Sequence, residues 1–384
     1  VFDSLMCAYG PATEVPELLA ALRSPDVARR GFARSELGHM LAHQGSKYDA
    51  SAAAVPFLIE ILADTETTGR HEAYELLALI SDNDELPRHR TRAAGPSLVE
   101  LTRERFEWRL TRRPADPAER YPWQFGEIVA PETDGRRWQL RAYEAVGAGL
   151  TAYVKLLDDP DPRLRIGAAH LIAAHPAPGA VPALVARLTT ETSPMVAASL
   201  CVAAGQCGET GDPALLSALT LWRDAPHRLA HLAALMAIAQ LTDAPDHALL
   251  TELAVCLVEP DDPIEDWPFH GRPSAGACWS LETLAPADNP ALPGILLDQL
   301  RHHRAEGFYY NVVELLIGTL FPQGPLGDDA RFAALTPEQQ ELVELAVRHH
   351  LLVEDPMPSA FAGINLPHEE VALAVWSELS TAHS

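Results

Sequence analysis

Lysine is almost missing from this 384-residue chain: of its 29 basic residues only Lys47 and Lys155 are lysines, and the rest are arginines. Positive charge is scarce altogether, because 53 Asp and Glu leave a formal net charge of −24. A nonspecific grip on nucleic acid or on an anionic membrane needs a basic footprint, so neither is an expected partner. Cysteine is sparse too. Cys7, Cys201, Cys207, Cys256 and Cys278 form no C-x-x-C pair and no zinc-ligand cluster. An odd count in a chain of this length fits a reducing compartment, with the thiols as small apolar fillers. No run approaches 18 uninterrupted apolar residues, the length a membrane-spanning helix requires. The first ten residues, VFDSLMCAYG, lack the basic-then-apolar order of a secretory leader, and a cytoplasmic location is the expectation. Catalytic signatures are absent as well: there is no GxGxxG after a strand, no GxxxxGK[ST], no HExxH and no GxSxG. No cofactor and no metal are expected on these grounds.

What remains is the composition of a folded protein, with 47% hydrophobic and 21% charged residues. The length calls for two or three domains or one elongated array. A recurring pattern favours the array. Each copy has a short helical stretch opening near Val-Pro, a turn built on Asp or Pro, and a longer Ala-rich helix. In the first copy Val15, Leu18, Leu19 and Leu22 share a face, Ser24-Pro25-Asp26 makes the turn, and Val27, Phe32, Leu37 and Met40 mark the second helix. In the second, Val55, Leu58, Ile59 and Leu62 are answered by Tyr74, Leu77 and Ile80. Further copies span 149–175, 179–208 and 212–241, each about 30 residues after the last. A single hairpin cannot bury its own apolar face, and stacking on the next one does so. The expected fold is therefore all-α, a right-handed superhelix of stacked helical hairpins.

The pattern sets the expected boundaries: N-terminal repeats over 1–109, an inserted loop over 110–139, central repeats over 140–258, an acidic loop over 259–274, and irregular helical repeats with a cap over 275–384. Helices are expected near 275–285, 291–302, 307–320, 337–353 and 368–380.

Two segments have the composition of contact sites. The 110–139 insertion carries Arg112, Arg113, Tyr121, Trp123 and Trp138. Arginine with aromatics is the usual make-up of a binding hot spot, although the same tryptophans could simply pin a long loop. The second holds Asp261, Asp262, Glu265, Asp266 and Trp267, a run able to dock a basic partner or to stay a solvated loop. Charge is also unevenly spread. Residues 1–192 hold 22 basic and 27 acidic side chains, whereas 193–384 hold 7 and 26. That excess either steers a basic partner or only maintains solubility. Among sixteen histidines, His39/His43 and His227/His231 share helical faces at a spacing of four, without an evident third ligand. His302-His303 and His349-His350 are adjacent pairs in separate helices.

The chain resembles bacterial HEAT-repeat proteins. The resemblance rests on Asp159-Pro160 with Arg165, on the Val-Pro openings at Val15-Pro16, Val55-Pro56 and Val181-Pro182, and on the stretch His43 to Leu62, which is similar to uncharacterised actinobacterial members. It covers about 12–85 and 149–258. It implies a helical solenoid acting as a protein-binding scaffold; the acid excess suggests one version, an inhibitor that masks a basic partner. The alternative is an enzyme with its pocket in the concave groove under the inserted loops. Oligomeric state and partner identity are not readable from the residues.

Overall fold

The computed structural model describes residues 2–81, 132–258, 273–283, 290–302, 309–321, 323–327, 330–353 and 357–377. They are almost wholly helical, and the only strands among them are β1 (Met6–Cys7) and β2 (Gly10–Pro11), a short antiparallel hairpin pairing Met6 with Pro11. The chain divides into two compact units, Val1–Asp224 and Ala225–Ser384.

The first unit contains α1 (Val15–Ala21), α2 (Val27–Leu41), α3 (Asp49–Ala63), α4 (Arg70–Ser81), α5 (Glu132–Gly147), α6 (Leu150–Leu156), α7 (Pro162–Ala174), α8 (Val181–Thr190), α9 (Pro194–Cys207) and α10 (Pro213–Arg223). Local chemistry sets the helix starts. Asp26 accepts the Ala28 N–H at 2.9 Å and Asp161 accepts that of Arg163 at 2.9 Å, each satisfying a donor that the first turn leaves open. Pro162, Pro194 and Pro213 occupy first positions, where a missing N–H is harmless. The hairpins are α1/α2, α3/α4, α6/α7 and α8/α9. Their second helices stack in a row, α2 on α4, α4 on α7 and α7 on α9. The row is unbroken across the long insertion: α4 and α7 are direct neighbours although residues 82–161 separate them in sequence.

A repeated arginine contact ties the hairpins together. Arg30 donates through Nη1 to the carbonyls of Ser24 and Pro25, at 3.0 and 3.2 Å, and through Nε to Glu72 of the next hairpin at 2.8 Å. Arg165 repeats this at the same offsets. Its Nη1 donates to the carbonyls of Asp159 and Pro160, at 2.8 and 3.2 Å, while Nε and Nη2 fork onto Glu191, at 3.0 and 3.1 Å. Between these two, Arg70 reaches Asp159 at 2.5 Å. Burial alone would raise the Glu191 carboxyl; the Arg165 and Arg187 guanidiniums and the Ser193 and Thr192 N–H groups outweigh it and hold the pKa at about 2.

The second unit holds α11 (Arg228–Leu241), α12 (His247–Val258), α13 (Pro273–Thr283), α14 (Leu292–His302), α15 (Tyr309–Leu320), α16 (Pro337–Arg348), α17 (Met357–Ala362) and α18 (Glu370–Trp376). Here α12 packs on α14 and α14 on α16, while α13 packs on α15, so the alternate stacking persists. One apolar cluster runs through it from Leu232 to Ala374, with Leu253, Leu296, Val313, Leu316 and Phe361 at its centre. The helices near 275–285, 291–302 and 307–320 fall where the periodicity puts them. The 337–353 helix ends earlier, at Arg348, and α17 was not foreseen.

Four expectations need correction. Residues 132–139, assigned to the insertion, form the first half of α5, whose buried face is Ala142, Tyr143 and Val146. The arginines at 136, 137 and 141 dilute that face in the sequence. Residues 273–274, given to the acidic loop, open α13 with Pro273 at its first position. Of the residues marking the second helix, Leu37 and Met40 are buried as the spacing implies, with Ala33 and Leu41, whereas Val27 and Phe32 are 69% and 62% exposed. Pro56, read as an opening, lies inside α3, which starts at Asp49; its ring is exposed, so only the hydrogen bond to Ala52 is forfeited.

Close stacking demands glycine at specific points. A Cβ on Gly69 would lie 1.9 Å from the Leu22 carbonyl oxygen, and one on Gly167 would lie 2.6 Å from the Tyr74 ring. Gly31, inside α2, faces open space. Gly69→Ala is therefore expected to destabilise by about 3 kcal/mol or more, because backbone has to move. Gly31→Ala is expected to stabilise by about 0.5–1 kcal/mol through helix propensity. Urea titrations of the two variants beside the parent check both signs.

Candidate functional site

The row of second helices carries an open groove between α2 and α4. One side of α2 is buried, and Arg34, Ser35, Gly38, His39 and Ala42 turn toward the groove, with Glu75, Leu76 and Leu79 of α4 opposite. The space holds about 310 Å³. Gly38 permits the close approach of Leu79, since a Cβ there would lie 3.3 Å from the leucine Cδ2. Arg34 Nε and Glu75 Oε2 bridge the two helices at 3.2 Å, and His71 Nδ1 lies 3.7 Å from the other carboxylate oxygen. At the mouth the chain bends through Gln44 and Gly45, both at positive φ. This sets His43 against Tyr9, with rings 5.5 Å apart and a hydrogen bond of 3.3 Å.

Exposed apolar surface gathers here. Tyr9 is 66% and Leu79 is 39% exposed, and Phe32 lies two turns before His39 on the same side of α2. Those three are among only eight large apolar side chains that the described residues expose. The combination of aromatics, an arginine and a leucine around a shallow recess suits the capture of a side chain from another polypeptide.

Further along the row, polar joints connect successive hairpins. The Tyr74 hydroxyl meets His170 Nδ1 at 2.9 Å, and His170 Nε2 meets Ser199 Oγ at 3.2 Å. Ser81 Oγ meets His175 Nε2 at 2.8 Å, and the Tyr143 ring lies 4.2 Å from that imidazole. Burial drives the His175 pKa down to about 3, so this imidazole is neutral in the folded protein. Ser199 and Ser81 are buried, which makes these pairs joints between helices, closed to a substrate.

Of the sequence-predicted contact residues, Trp138 alone falls within the described residues. It stands on α5, half-buried, with its ring 6.2 Å from that of Tyr48. Arg112, Arg113, Tyr121, Trp123, Asp261, Asp262, Glu265, Asp266 and Trp267 lie outside the described residues. Among those described, no group of three or more His, Cys, Asp or Glu is placed to hold a metal, so His39/His43 and His227/His231 remain pairs. The α2/α4 groove was not foreseen. Its one sequence signal was the i, i+4 repetition of His39 and His43, and the partners Arg34 and Glu75 are 41 residues apart.

Stacked two-helix units of this kind define an all-α solenoid class. Within it, residues 150–255, spanning α6 to most of α12, match the family model of HEAT repeats. No curated protein matches the chain. Among solved structures, a crystal structure of an engineered protein is similar over 92% of this chain and 89% of that chain, at 17% sequence identity and a TM-score of 0.34. No helix among the described residues is long and apolar enough to cross a membrane.

The buried imidazole gives a pH signature. The folded-state pKa of His175, about 3, lies below the ordinary 6.5, so the native state refuses a proton that the unfolded chain accepts. Its stabilisation is complete above pH 6.5 and declines as pH falls from there toward 3. Glu191, held at about 2 against 4.5, loses its contribution only below pH 4.5. Between pH 6.5 and 4.5 the slope should thus steepen by about 1.4 kcal/mol per pH unit on account of His175. Denaturation midpoints across that interval should show His175→Phe flatter than the parent by one proton, whereas Glu191→Gln should keep the parent's slope.

Proposed function

We propose that this chain is a non-catalytic protein-binding scaffold and that the α2/α4 groove is where a partner docks. HEAT repeats in general serve as scaffolds for protein interaction, and the match over 150–255 supports that coarse reading. The observation that carries the finer one is the groove itself: open, bounded by Arg34, His39 and Glu75, lined by the partly exposed Leu79, with Tyr9 against His43 and Phe32 exposed two turns before His39 on α2. An apolar side chain of the partner would enter between Gly38 and Leu79, with Arg34 and His39 available to polar groups beside it. A basic partner would be drawn to the acidic second half of the chain, which holds 26 acidic and 7 basic residues after residue 192. The alternative of an enzyme rests on closure by the 110–139 or 259–274 loop, most of which lies outside the described residues.

A photoreactive amino acid at Ser35, at the groove edge, tests the reading in the source cell. The expected result is one discrete protein adduct, reduced at least tenfold by Phe32→Asp with Leu79→Asp. Both side chains are exposed enough that the melting temperature should hold within a few degrees. Val371→Asp, on exposed α18, should leave the adduct intact. No adduct, or one indifferent to the groove substitutions, overturns the proposal.

A further inference from the structure

Away from the second-helix row, α3, α5 and α6 enclose a larger cleft of about 630 Å³. Its size exists because small side chains stand where large ones would fill it: Ala63 on α3, Ala145 on α5, Ala148 in the turn that follows, and Ala152 on α6. Ile59 and Leu156 add apolar floor. Three charged groups also line it. Asp159 is buried and paired with Arg70, and Lys155 has no side-chain partner among the described residues. The Arg70 guanidinium is only partly engaged. Nε donates to the Leu62 carbonyl at 2.9 Å and Nη2 to Asp159, while Nη1 has no partner among the described residues. One negative and two positive charges leave the lining with an excess of one positive charge, in a molecule whose net charge is −24.

That combination points to a ligand class. Clefts of several hundred cubic ångströms, mostly apolar with a few convergent polar groups, are the usual form of small-molecule sites. An apolar lining alone would accept any greasy body, so the charge decides. A cation would meet Lys155, and a neutral ligand would leave the Lys155 ammonium and the open Arg70 N–H without a partner. We propose that the cleft binds a small amphipathic carboxylate, with an aliphatic body along the Ile59, Ala148 and Ala152 wall and its carboxylate at Lys155 and Arg70. This site shares no residue with the α2/α4 groove, so it stands or falls independently of the partner-docking reading.

Decanoate is a suitable test ligand, titrated by calorimetry below its aggregation concentration, with decanol and decylamine alongside. The expectation is saturable one-to-one binding of decanoate, at least tenfold weaker binding of decanol, and none of decylamine. Lys155→Gln should weaken decanoate by about fivefold, the scale of one partly exposed ion pair. Ala148→Trp, at an exposed lining position, should abolish binding by occupying the space, with helical signal and melting temperature retained as the check on folding. Absence of saturable decanoate binding overturns the proposal. So does equal binding of decanol, or a Kd indifferent to Ala148→Trp.

Discussion

The arginine that reaches back to its own turn and forward to the next hairpin is the contact on which the array depends. Arg30 and Arg165 each satisfy two backbone carbonyls five and six residues upstream and then a carboxylate of the following hairpin. Those carbonyls sit at a tight bend between two helices, where no ladder of backbone hydrogen bonds can use them. One guanidinium meets both needs because its donors form a rigid planar fork. Such a buried pair adds little net stability, since desolvation offsets most of the Coulombic gain. Its effect is on register: shifting a hairpin along its neighbour would leave a buried guanidinium or carboxylate unpaired, at about 3–5 kcal/mol. Apolar faces rich in Ala and Leu would tolerate such a slip far more cheaply.

Registered stacking explains how the fold carries a long insertion. Once Arg70 is held by Asp159, and Tyr74 by His170, the neighbour of α4 is fixed whatever the chain does between them. Closing a longer loop adds only about 0.6 kcal/mol per doubling of its length. Four direct contacts between α4 and the segment from Asp159 to His175, including the Gly167 approach to Tyr74 and the Ser81–His175 joint, outweigh that. The insertion is therefore added to a complete array.

Legibility in the sequence followed the range of each interaction. Hairpins were readable because helix periodicity, Pro at first turns and Asp caps act within a few residues. The Asp159-Pro160…Arg165 motif was readable for the same reason, since an arginine and its two carbonyls lie within one bend. At the equivalent bend the turn Ser24-Pro25-Asp26 was readable but the part of Arg30 was not, as serine replaces the first aspartate while doing the same work toward the Asp26 N–H. What no window could show is pairing at long range: Arg30 with Glu72, Ser81 with His175, and Arg34 with Glu75. Both clefts belong to that category, being products of stacking. Val27 and Phe32 show the opposite error. Their spacing fits an apolar face, yet α2 turns Ala33, Leu37, Met40 and Leu41 inward and leaves those two side chains exposed.

The acid excess is concentrated after residue 192, yet neither cleft in the first unit is acidic in character: Arg34 balances Glu75 in one, and Arg70 and Lys155 outnumber Asp159 in the other. In a strongly negative molecule, the locally positive cleft holds Arg70 and Lys155 against a background that repels anions at a distance. Ions in solution screen that background beyond about 8–10 Å, while a group inside a recess still meets the full local field. The near-absence of lysine bears on the same cleft. Most of the positive charge in the ladder is arginine committed to fixed partners, which leaves Lys155 as a compact ammonium at a cleft rim, able to follow a ligand on its flexible stem.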